Sequence, residues 1–229
     1  MVRLYTAVGR YELRKEANGV KQPIVTVNLK EAALSMEEML LWSCLMWNIM
    51  NEDEAKEAFG EKALQSGIAP NRFEAVLQRL ELRHLIVSAE GEKGDIALYK
   101  LLANLYVVPI NSSFSVKVQA FLRLFFFEHV PFSMAKIVFR QEKYTEMEKK
   151  VLHLASQTHL SCAEILKCIE NDVTDVSTSE KVIEALYDDD YSTCDNLGLF
   201  MWFYDNHKKI LEAISTLYLN RDVIFDKWY

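Results

Sequence analysis

Glycine and proline are scarce in this sequence, and their scarcity limits the folds that it can adopt. The 229 residues include only 7 Gly and 4 Pro, which disfavours a β-sandwich or a long disordered segment because both are richer in these residues. Half of the residues are hydrophobic, enough to fill one sizeable core or two small ones. The composition therefore predicts a mainly α-helical protein with a small β component.

The sequence also lacks the motifs of common enzyme classes. It contains no Gly-x-Ser-x-Gly nucleophile elbow, no phosphate-binding loop and no dinucleotide-binding glycine pattern. The nearest approach, Gly91 to Gly94, is typical of a turn. We therefore expect a protein that is not an enzyme and that uses no cofactor.

No hydrophobic run is long enough to cross a membrane. The most apolar stretch, 121–132, is interrupted by Arg123, Glu128 and His129, whereas a membrane-spanning helix needs about 20 apolar residues. The first residues lack the continuous apolar segment of a signal peptide. These absences predict a cytoplasmic protein that does not contact a membrane.

Four cysteines form neither a disulfide framework nor a metal motif. Cys162 and Cys168 lie near His153 and His159 in the sequence, but their separation on one predicted helix is wider than the tight cysteine pairs of structural zinc sites. Free cysteines usually behave as small buried hydrophobic residues, so we expect reduced thiols in the core and no metal. The acidic run 188–190 is expected to be a solvated loop rather than a cation site.

Alternating residues and a turn signal predict a β-hairpin near the start of the chain. Residues 2–15 and 24–29 have the partial alternation of strands, and Asn18-Gly19 lies between them. Asn-Gly is a strong signal for a tight hairpin turn. A second β segment, predicted at 86–102, is the expected partner of this hairpin.

Local start signals predict three helices between these β segments. Ser35 and Glu38 have the spacing of a capping box, and the helix that they open is apolar on nearly every side, as in the centre of a core. Asn51 is placed to cap a second helix. Pro70 occupies the first turn of a third helix, a position that proline favours.

The segment from Ala69 to Leu102 reads as this third helix followed by a β-hairpin. Its hydrophobic residues first follow helical spacing, at Phe73, Val76, Leu77 and Leu80. The pattern then changes to strand, turn and strand, with Ile86–Ala89, the turn Glu90–Gly94 and Asp95–Leu102. The features that carry a resemblance are Leu77-x-x-Leu80, Leu85-Ile86, the charged turn and Tyr99-x-Leu101. With them, residues 35–102 resemble the winged helix-turn-helix domains of bacterial transcription regulators of the MarR and PadR kind.

The resemblance implies that the third helix enters the major groove of DNA and that the hairpin, or wing, touches the backbone. The residues that would face DNA are Asn71, Arg72, Glu74, Ala75, Gln78 and Arg79, with Lys93 at the wing tip. Of these, Asn71, Arg72, Gln78, Arg79 and Lys93 are the predicted DNA-binding residues, since such side chains pair with base edges or phosphates. Two half-sites need two such helices, so a homodimer is expected.

The charge of the chain leaves a second interpretation open. The net charge is −7, and the lysines and arginines of residues 55–100 are matched in number by acidic residues, whereas DNA affinity depends on clustered positive charge. The leading hypothesis is a DNA-binding transcriptional regulator. The alternative is a non-enzymatic adaptor whose winged helix binds protein.

The polar sequence Asn111-Ser112-Ser113 marks the predicted boundary between two domains. Residues 1–110 would form the winged-helix domain with its N-terminal hairpin, and residues 111–229 an all-helical domain for dimerisation or sensing. The predicted helices of the second domain cover 114–129, 132–141, three capped segments that begin at Thr145, Ser161 and Ser177, and 196–219. The three capped helices have the spacing of a second helix-turn-helix core. A third interpretation, ligand sensing, would need an apolar pocket near Phe125 and Trp202.

Overall fold

The computed structural model describes residues 1–15, 19, 21–110, 144–188, 192–193 and 196–228. These residues form nine strands, arranged in three small antiparallel sheets, together with helices. The prediction of a mainly α fold is therefore wrong, because the chain has a mixed α and β fold. The predicted helices at 114–129 and 132–141 lie outside the described residues.

The first part of the chain, called unit A here, covers residues 2–91. Its elements are β1 (Val2–Ala7), β2 (Arg10–Lys15), β3 (Lys21–Val27), β4 (Lys30–Ala33), α1 (Met36–Leu45), β5 (Met50–Asn51), α2 (Glu52–Gln65), a 3-10 turn (Pro70–Arg72), α3 (Phe73–Leu82) and β6 (Ile86–Gly91). The strands β2, β3 and β4 form one antiparallel sheet, in which Lys15 lies opposite Lys21. The predicted first strand, 2–15, is thus divided at Val8-Gly9 into strands of two different sheets.

The second sheet of unit A places β1 between β5 and β6. Leu4 lies opposite both Asn51 of β5 and Ala89 of β6. The pairing of β1 with β6 continues over six residues, from Val2 opposite Gly91 to Ala7 opposite Ile86. The N-terminal strand therefore pairs with the β segment after α3, as the sequence predicted.

The second strand of the predicted wing is a helix, which corrects the expectation of a β-hairpin at 86–102. Residues Gly94–Leu102 form α4, which begins as the Ala97 N–H donates to the Lys93 carbonyl over 3.0 Å. Since β1 pairs with β6 along its whole length, β6 is already part of a sheet without a returning strand. Gly91 allows the chain to turn into α4, because a Cβ there would lie only 2.4 Å from the Ala97 nitrogen.

The second part of the chain, called unit B here, covers residues 106–226. Its described elements are β7 (Tyr106–Pro109), α5 (Glu146–Gln157), β8 (Leu160–Ser161), α6 (Cys162–Glu170), α7 (Ser179–Tyr187), α8 (Leu197–Phe200), a 3-10 turn (Met201–Phe203), α9 (His207–Leu219) and β9 (Val223–Asp226). The strands form one sheet with β7 between β8 and β9. The prediction of an all-helical second domain is therefore wrong, and the predicted helix 196–219 is interrupted before α9.

Unit B repeats the strand pairing of unit A in the same register. Tyr106 of the central strand lies opposite Ser161 on one side and Asp226 on the other. Leu4 of unit A has the corresponding neighbours, since it lies opposite Asn51 and Ala89. In both units the central strand of the sheet, β1 or β7, comes first in the chain. A two-residue strand directly precedes α2 and α6, and the last strand, β6 or β9, pairs with the other edge of the central strand.

The helix starts repeat together with the strands. Capping boxes begin α1 at Ser35 and α2 at Asn51 in unit A, and α5 at Thr145 and α6 at Ser161 in unit B. Both pairs of capping residues are separated by the same number of residues. The ends of α3 and α9 also match, since each is followed by a residue with positive φ, His84 or Arg221. The described elements thus contain one arrangement twice, with β1, α1, β5, α2, α3 and β6 of unit A matched by β7, α5, β8, α6, α9 and β9 of unit B. The sheet of β2, β3 and β4, the helix α4 and the helices α7 and α8 lie outside this repeat.

The described parts of the two units share one hydrophobic core. The fully buried Tyr218 of α9 reaches unit A, where its hydroxyl lies 2.9 Å from the Thr6 Oγ1 and accepts the Trp47 N–H at 2.9 Å. The Gly9 N–H donates to the Phe225 carbonyl over 2.8 Å, which joins the two units through the backbone. Among the described helices, none combines the length and the apolar character needed to span a membrane.

Candidate functional site

The predicted DNA-binding residues of unit A lie on and around α3. The hydrophobic side of α3 is buried through Phe73, Val76, Leu77 and Leu80, so the opposite side faces solvent. Asn71, Arg72 and Gln78 are exposed there, and Arg79 is partly buried. The structure therefore brings four of the five predicted residues to one surface, called the α3 face here.

Lys93 does not lie at the tip of a wing. It is exposed and directly precedes α4, where it acts as the N-cap residue without a side-chain hydrogen bond. Glu92 and Asp95 flank it in the sequence and are also exposed. The expectation that Lys93 sits on a hairpin beside the third helix is therefore wrong, and its neighbours are acidic.

One carboxylate, Glu37 of α1, pairs with both predicted DNA-reading arginines. Its Oε1 lies 3.1 Å from the Arg72 Nη1, and its Oε2 lies 2.9 Å from the Arg79 Nη2. Glu37 is 20% exposed at its side chain, so this contact is partly shielded from solvent. Sequence reasoning missed Glu37 because it was assigned only to the first turn of a helix, and that pattern does not show which neighbour the carboxylate meets.

The remaining charges around α3 are paired as well. Glu74 accepts a hydrogen bond from Lys56 over 2.6 Å, and this hydrogen bond lowers the pKa of Glu74. Glu81 accepts from Arg3 at 3.0 Å. Both acids of α3 therefore compensate cations of neighbouring elements rather than turning into the core. The α3 face alternates in charge and has no continuous positive patch.

A further ion pair joins the end of α3 to α1. The Arg83 Nη1 donates to the Glu38 carboxylate over 2.8 Å, and its Nη2 donates to the Ala33 carbonyl over 2.6 Å. Burial raises the pKa of Glu38, but hydrogen bonds from the Ser35 backbone and side chain and from Arg83 outweigh it, so that the pKa is lowered overall. Glu38 therefore stays ionised and paired with Arg83.

In unit B, the helix that matches α3 is α9. It begins with exposed Lys208 and Lys209, at positions that correspond to Asn71 and Arg72 of unit A when the helix ends are aligned. Within the described part of the chain, neither lysine takes part in a salt bridge. Sequence reasoning did not single out these lysines, although the repeated capping boxes are a local signal of the duplication.

A cavity of about 750 Å³ lies where the two units meet. Unit A contributes Arg10, Tyr11 and side chains of α1 and the following loop, among them Trp42 and Trp47. Unit B contributes the end of β7 and Arg221. This cavity is not the apolar pocket near Phe125 and Trp202 that the ligand-sensing interpretation would need. Phe125 lies outside the described residues, and Trp202 packs against Tyr99 at a ring distance of 4.9 Å.

The three cysteines among the described residues are unsuited to nucleophilic or metal chemistry. Cys44, Cys162 and Cys168 are free and buried. Burial raises the pKa of the Cys168 thiol to about 12 and raises that of Cys162 further above its ordinary value, so both remain protonated, whereas metal ligands and nucleophiles are thiolates. A search of the described residues found no cluster of three metal-binding side chains.

Comparison of the whole chain with models of protein families, with curated proteins and with solved structures gave no significant match.

Proposed function

We propose that the chain is a non-enzymatic binding protein made of two helix-turn-helix-like units without a hairpin wing, and that the α3 face of unit A contacts a protein rather than duplex DNA. The observation that carries this proposal is the double ion pair of Glu37 with Arg72 and Arg79. The two arginines that would read or anchor DNA are already paired within the protein.

Electrostatics favours this choice between the two hypotheses. Each phosphate contact gains affinity by releasing condensed counterions, with a salt slope of about 0.9 per contact. The cations Arg3, Lys56, Arg72 and Arg79 would have to exchange a carboxylate for a phosphate, and the carboxylates would then repel the DNA. A protein surface can instead match alternating charges one by one, which gives orientation and specificity.

An exposed apolar residue supports the same proposal. Leu82 at the end of α3 is 73% exposed, beside the paired charges of Arg79 and Glu81. Apolar contact surrounded by polar groups is the usual composition of a protein interface. A DNA backbone offers no comparable partner for Leu82.

The first experiment measures duplex DNA binding by fluorescence anisotropy, between about 50 and 200 mM salt, for the wild type and for Glu37→Gln. We expect weak binding by the wild type and stronger, more salt-dependent binding by Glu37→Gln, because Arg72 and Arg79 lose their common partner. Glu12→Gln is the matched control, since Glu12 pairs with Arg14 on the β2–β3 hairpin. Tight wild-type binding that Arg79→Ala abolishes would disprove the proposal.

A second experiment tests for a protein partner directly. A photo-crosslinking residue replaces the exposed Gln78 in cells, and the same residue at Glu12 serves as the control. We expect adducts specific to position 78 that protease removes and nuclease does not. Nuclease-sensitive adducts at position 78 would show contact with nucleic acid instead.

DNA binding remains the second candidate, and one observation favours it. The described residues include two helices of the α3 type, α3 and α9, and the first turn of α9 carries Lys208 and Lys209, which form no salt bridge with another described residue. Two such helices in one chain could meet two half-sites without a second copy, so the reason for expecting a homodimer no longer holds, although a homodimer stays a prediction. Lys208→Ala combined with Lys209→Ala would reduce the salt slope if α9 contacts phosphates.

A further inference from the structure

The cavity between units A and B has aromatic walls that its own hydrogen bonds hold in place. The Trp42 Nε1 donates to the carbonyls of Val8 and Leu85 over 3.3 and 3.1 Å, and the ring stacks on Tyr11 at 5.9 Å. The Trp47 Nε1 donates across to unit B, to the Val223 carbonyl at 3.3 Å. Both indole N–H groups are therefore used in the protein, and both residues line the cavity.

The charge in the cavity has one sign. Its charged lining residues are Arg10 of β2 and Arg221, and no acidic side chain lines it among the described residues. The Arg221 guanidinium lies over the Trp47 ring at 5.2 Å, which positions it by a cation–π contact. Within the described residues, neither guanidinium forms a salt bridge, in contrast to the arginines of the α3 face.

We propose that this cavity binds a small organic anion that carries an aromatic ring, with the ring against Trp42 and Trp47 and the anionic group between Arg10 and Arg221. Known small-molecule sites are concave, mostly apolar, and contain a few polar groups that fix orientation, in volumes of roughly 300–1,000 Å³. The cavity meets this description. An anion gains charge-assisted hydrogen bonds from guanidinium groups that have no carboxylate of the described residues to displace.

The position of the cavity gives binding a consequence for the whole molecule. Trp47 and Arg221 belong to different units, and they contact each other at the edge of the cavity. A ligand that contacts both therefore favours the arrangement in which the two units are joined, and binding must stabilise the protein against unfolding.

The test uses the full chain and two fluorescent probes of similar shape. Anilinonaphthalene sulfonate carries an aromatic system and an anion, and phenylnaphthylamine has the aromatic system without the anion. We expect one anionic probe per chain, quenching of tryptophan fluorescence, and clearly weaker binding of the neutral probe. Equal binding of the two probes, or no saturable binding of either, would overturn the proposal.

Variants then locate the site. Arg10→Gln and Arg221→Gln each remove one guanidinium at an exposed position, and we expect each to weaken binding of the anionic probe about tenfold while changing the neutral probe little. Arg14→Gln is the matched control, because Arg14 is on the same strand as Arg10 but does not line the cavity. Unchanged affinity in both cavity variants would refute the assignment.

Competition identifies the anion. An aromatic carboxylate and a nucleoside monophosphate share the ring and the negative charge, and displacement of the probe by one of them distinguishes a carboxylate ligand from a phosphate ligand. Failure of both to displace the probe would contradict the proposed ligand class.

Discussion

Replacement of Tyr218 by phenylalanine tests whether the two units are held together as the structure indicates. The Tyr218 ring is fully buried, and its hydroxyl accepts the Trp47 N–H at 2.9 Å. The hydroxyl also lies 2.9 Å from the Thr6 Oγ1. Tyr218→Phe keeps the ring and removes only the hydroxyl that makes these contacts.

The magnitude follows from the groups that lose a partner. Thr6 keeps a hydrogen bond, since its hydroxyl also donates to the Asn48 carbonyl over 2.8 Å. The Trp47 backbone N–H loses its acceptor in a buried place, which costs about 1–3 kcal/mol. We therefore expect Tyr218→Phe to lower the free energy of unfolding by about 2 kcal/mol, or the melting temperature by roughly 4–8 °C for a chain of this length.

Urea denaturation followed by tryptophan fluorescence and by circular dichroism measures this loss. Tyr11→Phe is the matched control, because Tyr11 is 40% exposed, and it should stay within about 0.5 kcal/mol of the wild type. Both signals should report one shared transition, since the units have a common core. Wild-type stability in Tyr218→Phe, or separate transitions of the two units in the wild type, would show that this junction does not hold them together.

Three further predictions concern stability. Burial raises the pKa of Tyr218 to about 12, above the ordinary value of about 10. Because the unfolded chain loses this proton first, the contribution of Tyr218 to stability is complete below a pH of about 10 and falls as the pH rises towards 12. Unfolding measured over this pH range should therefore show a shallower loss of stability in Tyr218→Phe than in the wild type, by up to about 1.4 kcal/mol per pH unit. Gly91→Ala should lower the free energy of unfolding, measured by urea denaturation, by about 1–3 kcal/mol, because the new Cβ would meet the backbone of α4. Gly60→Ala, in the open middle of α2, should raise the same free energy by about 0.5–1 kcal/mol. Equal effects of the two substitutions would refute the close approach at Gly91. Ser161→Ala should lower the free energy of unfolding by about 1 kcal/mol, since the Ser161 hydroxyl accepts the Glu164 N–H at the start of α6. Ser161→Asp keeps a side-chain acceptor at this position and should retain most of the stability.

Four helix starts were determined by the sequence alone, and a fifth, predicted at Ser177, is displaced by one residue to Thr178. Ser35, Asn51, Thr145 and Ser161 all cap helices in the structure, as the capping pattern predicts. The hydrogen bonds of a capping box join residues only three positions apart, so no distant part of the chain is needed to form them. The buried side of α3 was predictable for the same reason, because helical spacing is a local property.

The partners of the strands depended on the tertiary structure. The hydrophobic residues after Gly94 fit a strand or a helix almost equally well, and the pairing of β1 with β6 left them to form α4. The two matching sheets arise from residues as far apart as Tyr106 and Asp226, and short strands carry little local signal. The pairing of Glu37 with Arg72 and Arg79 was not found in the sequence for the same reason, because these residues are far apart along the chain. The cavity lined by Arg10 and Arg221 also depends on residues from distant parts of the chain. Local hydrogen bonds and helical periodicity specified the capped helices and α3, whereas contacts between distant residues decided α4, the sheets, the charge of the α3 face and the cavity.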